Sequence, residues 1–405
     1  MSELTGIDRL SRALNTTRRR RDGDVDGYVD GYVDHHVHFL SSAAASISVD
    51  VSGARSVPEV VERLAGTCST TGWGRSAPGG WIRAWGYDEA LLDEGCNPTR
   101  DDLDRLGTGG RPMVVHHRSG HVAVLNSAAL RELGVEDHPD GVLFDRHDLL
   151  GRVPRLDQAT LEAAASSLSR RWAAMGIDGF VDATHTNGPG ELDLMAGWSR
   201  GGVVVQRVQM MVGSAHVDEV PPFGATLYGA PGAVADRGRG AVSVGHVKLM
   251  PLPGGADEIE SEVAKAHDAG FPVAVHVVDI ETLQITLDAF SKSAPPPGSA
   301  DRIEHNALCL PEQVDAIARS GARVVVNPSF LRARRAKYER ELTQVELGWL
   351  IRIRSLLDAG VDVRAGSDSP VSEANPAEMI RCAMAHPFVP GESVDLPTAT
   401  RLLGW

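Results

Sequence analysis

Five places in the chain carry side chains that can hold a metal ion. The first is Asp34-His-His-Val-His38, in which His36 and His38 stand two residues apart. In an extended strand, residues i and i+2 point to the same side. Two imidazoles so placed can chelate one divalent cation, although an isolated pair of this kind is also met as ordinary core packing. The other four are single residues at or near the ends of apolar runs. Lys248 lies in VSVGHVKLM (242–250), His276 in PVAVHVV (272–278), His305 in RIEHN (302–306), and Asp368 closes VDVRAGSD (361–368).

Lys248 and Asp368 each admit two readings. A lysine among apolar neighbours is costly unless its amine finds a partner. It either snorkels or pairs with a carboxylate, or it reacts with CO₂ to form a carbamate whose two oxygens reach two metal ions. Asp368 is either an N-cap for a helix beginning near Asn375, or a metal-bound carboxylate that takes a proton from water and passes it to a leaving nitrogen. A metal can lower the pKa of water from about 16 to about 7, and a nearby carboxylate then serves as general base and later as general acid.

The elements that would position these residues are legible as eight short apolar, β-branched runs, at 31–39, 177–183, 203–212, 242–250, 272–278, 302–306, 322–328 and 361–368. Helix-like segments precede several of them and end in Gly176, Gly270, Gly321 and Gly360, the residue type that stops a helix in the left-handed conformation. Strands alternating with helices imply parallel pairing, and eight such units predict a closed α/β barrel of the (β/α)8, TIM-like type. Its functional residues are expected at the carboxyl ends of the strands. Residues 40–155 are too long for one connection and read as an inserted subdomain over the barrel mouth, within a barrel domain spanning 32–405. Residues 1–31 read as a polar leader. They contain the tandem repeat around Asp24-Val-Asp-Gly, which lacks the closing Glu of a calcium loop. Residues 291–300 (SKSAPPPGSA) read as a surface loop.

Bulk properties narrow the function. With 405 residues, 42% hydrophobic and 23% charged, the chain has a globular balance. A net charge of −14 disfavours nucleic acid. The four cysteines, Cys68, Cys96, Cys309 and Cys382, form no CxxC pair and suggest a reducing cytoplasm. No apolar run approaches the roughly 20 residues of a membrane span. The expected partner is a small-molecule substrate, in a homo-oligomer that binds neither membrane nor nucleic acid.

The order HxH, Lys, His, His, Asp on successive strands resembles the amidohydrolase superfamily. Finer matches point to the YtcJ-like branch that includes N-substituted formamide deformylases. They are Val33–His38, the segment Arg118-Ser-Gly-His-Val-Ala-Val-Leu-Asn-Ser-Ala-Ala-Leu130, His246–Leu249, Val275-His276, Arg302–His305 and Gly366–Val371 with Asn375-Pro376. The resemblance spans roughly residues 30–390. It implies that His36, His38 and Asp368 bind one metal, that His276 and His305 bind a second, and that carboxylated Lys248 bridges them. The ion would be zinc, with manganese or iron as substitutes, one or two per chain. It further implies that His121 reaches the substrate, that Arg118 fixes a substrate carbonyl or carboxylate, and that Asn126 holds its loop; the alternative for these three is a structural turn. His246, two before Lys248, would sit beside the ligands. Two departures stand out. The β-sandwich that relatives build from both chain ends is expected to be reduced or absent, and Met250-Pro-Leu-Pro-Gly-Gly255 replaces an Asp-Gly segment. The implied reaction is hydrolysis of an amide, formamide or cyclic-amide C–N bond, with Asp368 as base and acid. Mononuclear deamination, phosphoester hydrolysis and a degenerate binding barrel are the competing readings.

Overall fold

The computed structural model describes residues 31–71, 80–229, 240–251 and 256–405. The leader, apart from Gly31, and most of the Met250–Gly255 segment lie outside the described residues. The chain divides into two compact units, Phe39–Leu168 and the remainder.

The larger unit holds the eight expected strands. They are β1 (Tyr32–Val37), β7 (Ile177–Asp182), β8 (Arg207–Gly213), β10 (Val242–Leu249), β11 (Val273–Val277), β12 (Arg302–His305), β13 (Arg323–Val326) and β14 (Val363–Ala365), hydrogen-bonded in that order and all parallel. A short β9 (Thr226–Tyr228) adds antiparallel to β10. Parallel strands are covered on both faces, which explains why they read as continuous apolar runs; every residue of β10 is buried. The seam closes just beyond β14. Val37 bridges Ser369, the Asp368 N–H donates to the His36 carbonyl at 2.7 Å, and the His38 N–H donates to the Ser369 carbonyl at 2.8 Å. The sheet is therefore an α/β TIM-like barrel.

The connecting helices begin and end where local chemistry dictates. Asp279 caps Ile280–Lys292 by accepting the Thr282 N–H, and Asn375 caps Pro376–Met384 by accepting the Glu378 N–H. The cap near residue 375 is thus Asn375 itself, and Asp368 is not a helix cap. Gly321, at the end of Pro311–Ser320, has φ +71°, in the left-handed region that stops a helix without a Cβ penalty. After β14 the described chain is helical, with Pro376–Met384 and Leu396–Arg401, and adds no strand to a sandwich. Among the described residues no helix is long and apolar enough to cross a membrane.

The smaller unit is built on a five-stranded mixed sheet, β2 (Val49–Asp50), β3 (Ile82–Tyr87), β4 (Met113–His117), β5 (Val122–Leu125) and β6 (Val142–Phe144), ordered as they occur in the chain. Strict alternation buries both faces. Met113, Val115, Val122 and Val124 pack with Val60 and Leu64 of helix Val57–Thr71. Val114, Ala123 and Leu125 pack with Trp81 and Leu130 on the other side.

Gly366 packs closely against β1 at the barrel seam, since an added Cβ would lie 2.5 Å from His36 Cβ and 2.6 Å from His36 N. Backbone cannot retreat as a flexible side chain does. Gly366→Ala should therefore lower the unfolding free energy by about 1–3 kcal/mol, read as a reduced urea midpoint.

Candidate metal centre

β1 carries His36 at its penultimate position, and His38 follows immediately after Val37. Asp34 stabilises the bend of this strand end, with Oδ1 accepting the N–H of His36 at 3.3 Å and that of Ser367 at 2.8 Å. Burial lifts its pKa to about 7, against the pull of these hydrogen bonds. The same contacts bring the β14 end, and with it Asp368, against β1. His36 Nε2 and His38 Nε2 lie 3.5 and 3.1 Å from Asp368 Oδ1. Ligand atoms of His36, His38 and Asp368 all fall within 4.8 Å of one another.

The remaining predicted ligands join this group. The His36 and His305 rings are 4.6 Å apart between centroids, and so are those of His305 and His276. Lys248 is 2% exposed, and its Nζ has no hydrogen-bond partner. Burial lowers its pKa to about 8, while Glu304 and Asp368 act in the opposite direction, so its amine lies within electrostatic reach of both carboxylates. All six residues read from the sequence as ligands are therefore brought together at the carboxyl ends of β1, β10, β11, β12 and β14.

His36, His38 and His305 each have a partner at Nδ1. His36 Nδ1 meets Glu304 Oε2 at 2.5 Å, His38 Nδ1 meets Thr184 Oγ1 at 3.0 Å, and His305 Nδ1 meets Asn327 Oδ1 at 2.7 Å. The acceptor oxygens at Nδ1 of His36 and His305 place the proton there and leave the Nε2 lone pair available to a cation, as is usual for metal-binding histidines. An unpaired buried amine, His36 and His305 with Nδ1 facing an acceptor oxygen, His38 and an adjacent carboxylate form a donor set that fits a divalent metal. Burial keeps His36 and His305 neutral, the latter with its pKa lowered to about 3. Burial pushes the Asp368 pKa up, but the His38 ring at 3.1 Å more than offsets this and holds the carboxyl well below the usual carboxylate range. His305 and Asp368 have φ of +69° and +59°. Side-chain-bearing residues rarely adopt this region, and such strain gathers at functional sites.

Glu304 is the largest feature that sequence reading missed. It is fully buried, bonded to His36 and to Arg302 Nε at 2.7 Å, and Arg302 donates in turn to the His35 carbonyl at 2.8 Å. Arg302 and His36 hold its pKa far below the carboxylate range against the effect of burial. Asn327, Thr184 and Asp34 were likewise not singled out; of these, Asp34 has a sequence signal, since it lies two before His36 on the same face.

Arg118, His121 and Asn126 belong to the smaller unit, where each has its own partners. Arg118 lies 3.5 Å from Asp88 Oδ2, and half-exposed His121 pairs with Asp145 at 2.7 Å. Asn126 caps Ser127–Glu132 and also accepts the Met113 N–H at 2.9 Å, which is the structural-turn role. His246 is buried and bonds the Ala300 carbonyl at 3.1 Å; it makes no hydrogen bond to Lys248.

The amidohydrolase family profile matches residues 30–403. The chain belongs to the amidohydrolase family. A member from Arthrobacter pascens, named N-substituted formamide deformylase, is 28% identical over 427 aligned residues, covering 91% of this chain and 76% of that one. YtcJ of Bacillus subtilis (strain 168) is 23% identical over 386, covering 86% and 71%. The structure of an uncharacterized metal-dependent hydrolase from Pyrococcus furiosus superposes with a TM-score of 0.69 at 22% identity, covering 92% of this amidohydrolase and 80% of its own chain.

Removing the Glu304 carboxylate from this amidohydrolase would strand a guanidinium that is 1% exposed. Glu304→Ala should destabilise the fold by about 3–5 kcal/mol, measured by equilibrium denaturation.

Proposed function

We propose that this chain hydrolyses the C–N bond of a small amide, formamide or cyclic amide, using zinc held by His36, His38, His276, His305, Asp368 and a carboxylated Lys248. The observation that carries the reading is the sealed, unpartnered Nζ of Lys248 beside Asp368 and the histidines. An amine left without a partner at that depth is costly as a structural element; as a carbamate it would supply anionic oxygen to the metal. Family membership supports hydrolysis, and the relative named N-substituted formamide deformylase supports a formamide-like substrate. The free cysteines Cys96, Cys309 and Cys382 suit a cytoplasmic setting.

When bound, the metal supplies Lewis acidity that polarises the carbonyl and makes water acidic. The residues of the chain do the rest. Asp368, ionised and facing His36 and His38, accepts the proton of the attacking water. As the carbon–oxygen bond forms and the carbon–nitrogen bond breaks, Asp368 returns that proton to the departing nitrogen, so the products are a carboxylic acid and an amine. Glu304, Thr184 and Asn327 keep the imidazoles oriented throughout.

Metal analysis of freshly purified protein by plasma mass spectrometry tests the centre, with the wild type expected to hold about two equivalents more than His36→Asn/His38→Asn for a bridged pair. No metal after incubation with zinc and bicarbonate would sink the proposal. Lys248→Ala should lower the stoichiometry, with a short carboxylic acid partly restoring it. Asp368→Asn should lower kcat by at least about 10²-fold on an amide substrate, whereas wild-type turnover would remove it from the mechanism. A single-metal deaminase is the second reading, favoured by the tight grouping of His36, His38 and Asp368; a difference of about one equivalent from His36→Asn/His38→Asn, with ammonia released from an amino-substituted ring, would select it.

A further inference from the structure

The smaller unit gathers a set of ligand-type side chains of its own. Asp88 and Glu89 follow the end of β3, and His117 ends β4. These strands pair in parallel with Tyr87 opposite His117, so their ends meet at one edge of the sheet. Asp88 Oδ1 lies 3.6 Å and Glu89 Oε2 2.8 Å from His117 Nε2. One ligand atom from each residue falls within 4.8 Å of the others.

His117 and Asp88 are each only 5% exposed at the side chain. His117 Nε2 is sealed from solvent and ion-paired with the Glu89 carboxylate, although neither carboxylate stands in line for a hydrogen bond. A buried ring nitrogen that is aimed between carboxylates yet lacks an in-line acceptor is placed as a ligand atom. The opposite nitrogen allows this. Nδ1 is 2.7 Å from Ser119 Oγ, which can accept its proton, and 3.0 Å from the Ser119 N–H, which suits the other tautomer. A cation at Nε2 would select the first arrangement. Arg118 faces Asp88 Oδ2, and Asp88 Oδ1 takes the Ala90 N–H at 3.0 Å while keeping a second lone pair.

We propose that Asp88, Glu89 and His117 form a second divalent-cation site, built wholly within this unit and independent of the barrel ligands. One imidazole with two carboxylates suits zinc or manganese. Three protein ligands leave coordination positions for water or an oxygen-donor molecule, with Glu89, 24% exposed, at the rim.

The test uses the full chain, stripped by chelation and titrated with Zn²⁺ alone, with bound metal counted after dialysis. Glu89→Gln/His117→Gln should lose one equivalent relative to wild type, and His36→Asn/His38→Asn should lose metal separately, so that the two losses add. The barrel and the second site thus fail or stand independently. Co²⁺ bound to the barrel variant should show ligand-field absorption that disappears when Glu89→Gln/His117→Gln is added. Wild-type stoichiometry in Glu89→Gln/His117→Gln overturns the site. If circular dichroism shows that variant unfolded, Glu89→Gln alone must weaken Zn²⁺ binding at the site by at least about tenfold; unchanged affinity overturns the proposal equally.

Discussion

A buried carboxylate organises the barrel interior. Glu304 has no exposure, and Arg302, His36 and Lys248 keep it ionised against the effect of burial. β12, which carries Glu304, is not a neighbour of β1 in the sheet; β13 and β14 lie between them. The Glu304–His36 contact and the Arg302 bond to the His35 carbonyl therefore cross the barrel rather than run along it. Such a charged chain adds little net stability over an apolar core, but it fixes one ring in one orientation and one tautomer. The rest of the ligand cluster is arranged around that ring.

The strand ends supply the remaining geometry. His305 and Asp368 both sit in the left-handed region where β12 and β14 give way to loops. Neither conformation is favourable for a residue with a side chain. They are held by bonds made elsewhere: the Asp368 N–H to the His36 carbonyl, His305 to Asn327, and Asn327 to the Gly366 carbonyl at 2.9 Å. Strain at the site is thus offset by the closure of the barrel seam, and this ties the integrity of the fold to the placement of the candidate ligands.

Lys248 makes the opposite bargain. Glu304 spends its burial on three satisfied contacts, whereas the Lys248 amine has none. A chain selected for stability alone would place a leucine or methionine there. Retaining an amine at that position makes sense only where the nitrogen is used.

Much of this architecture was legible in the sequence because its causes are local. All eight barrel strands were marked by β-branched runs, and the glycines that end helices were marked by the need for positive φ, seen at Gly176, Gly270, Gly321 and Gly360. The six ligand-type residues stood out by type and by position at strand ends. Glu304 did not, because strand alternation assigns it the face opposite its neighbour His305. The left-handed turn at His305 breaks that alternation and lets both side chains enter the cluster. The partners of Nδ1 were equally unreadable, since Thr184 and Asn327 are remote in sequence from the histidines they hold. The same applies to His117 and the Asp88–Glu89 pair, which meet only through the parallel register of β3 and β4. By itself the sequence determined which segments become strands and which side chains can bind a cation, because period and residue chemistry act over a few residues. Only the tertiary structure decided which lone pairs converge, because that depends on the closure of the sheet and on hydrogen bonds between segments far apart in the chain.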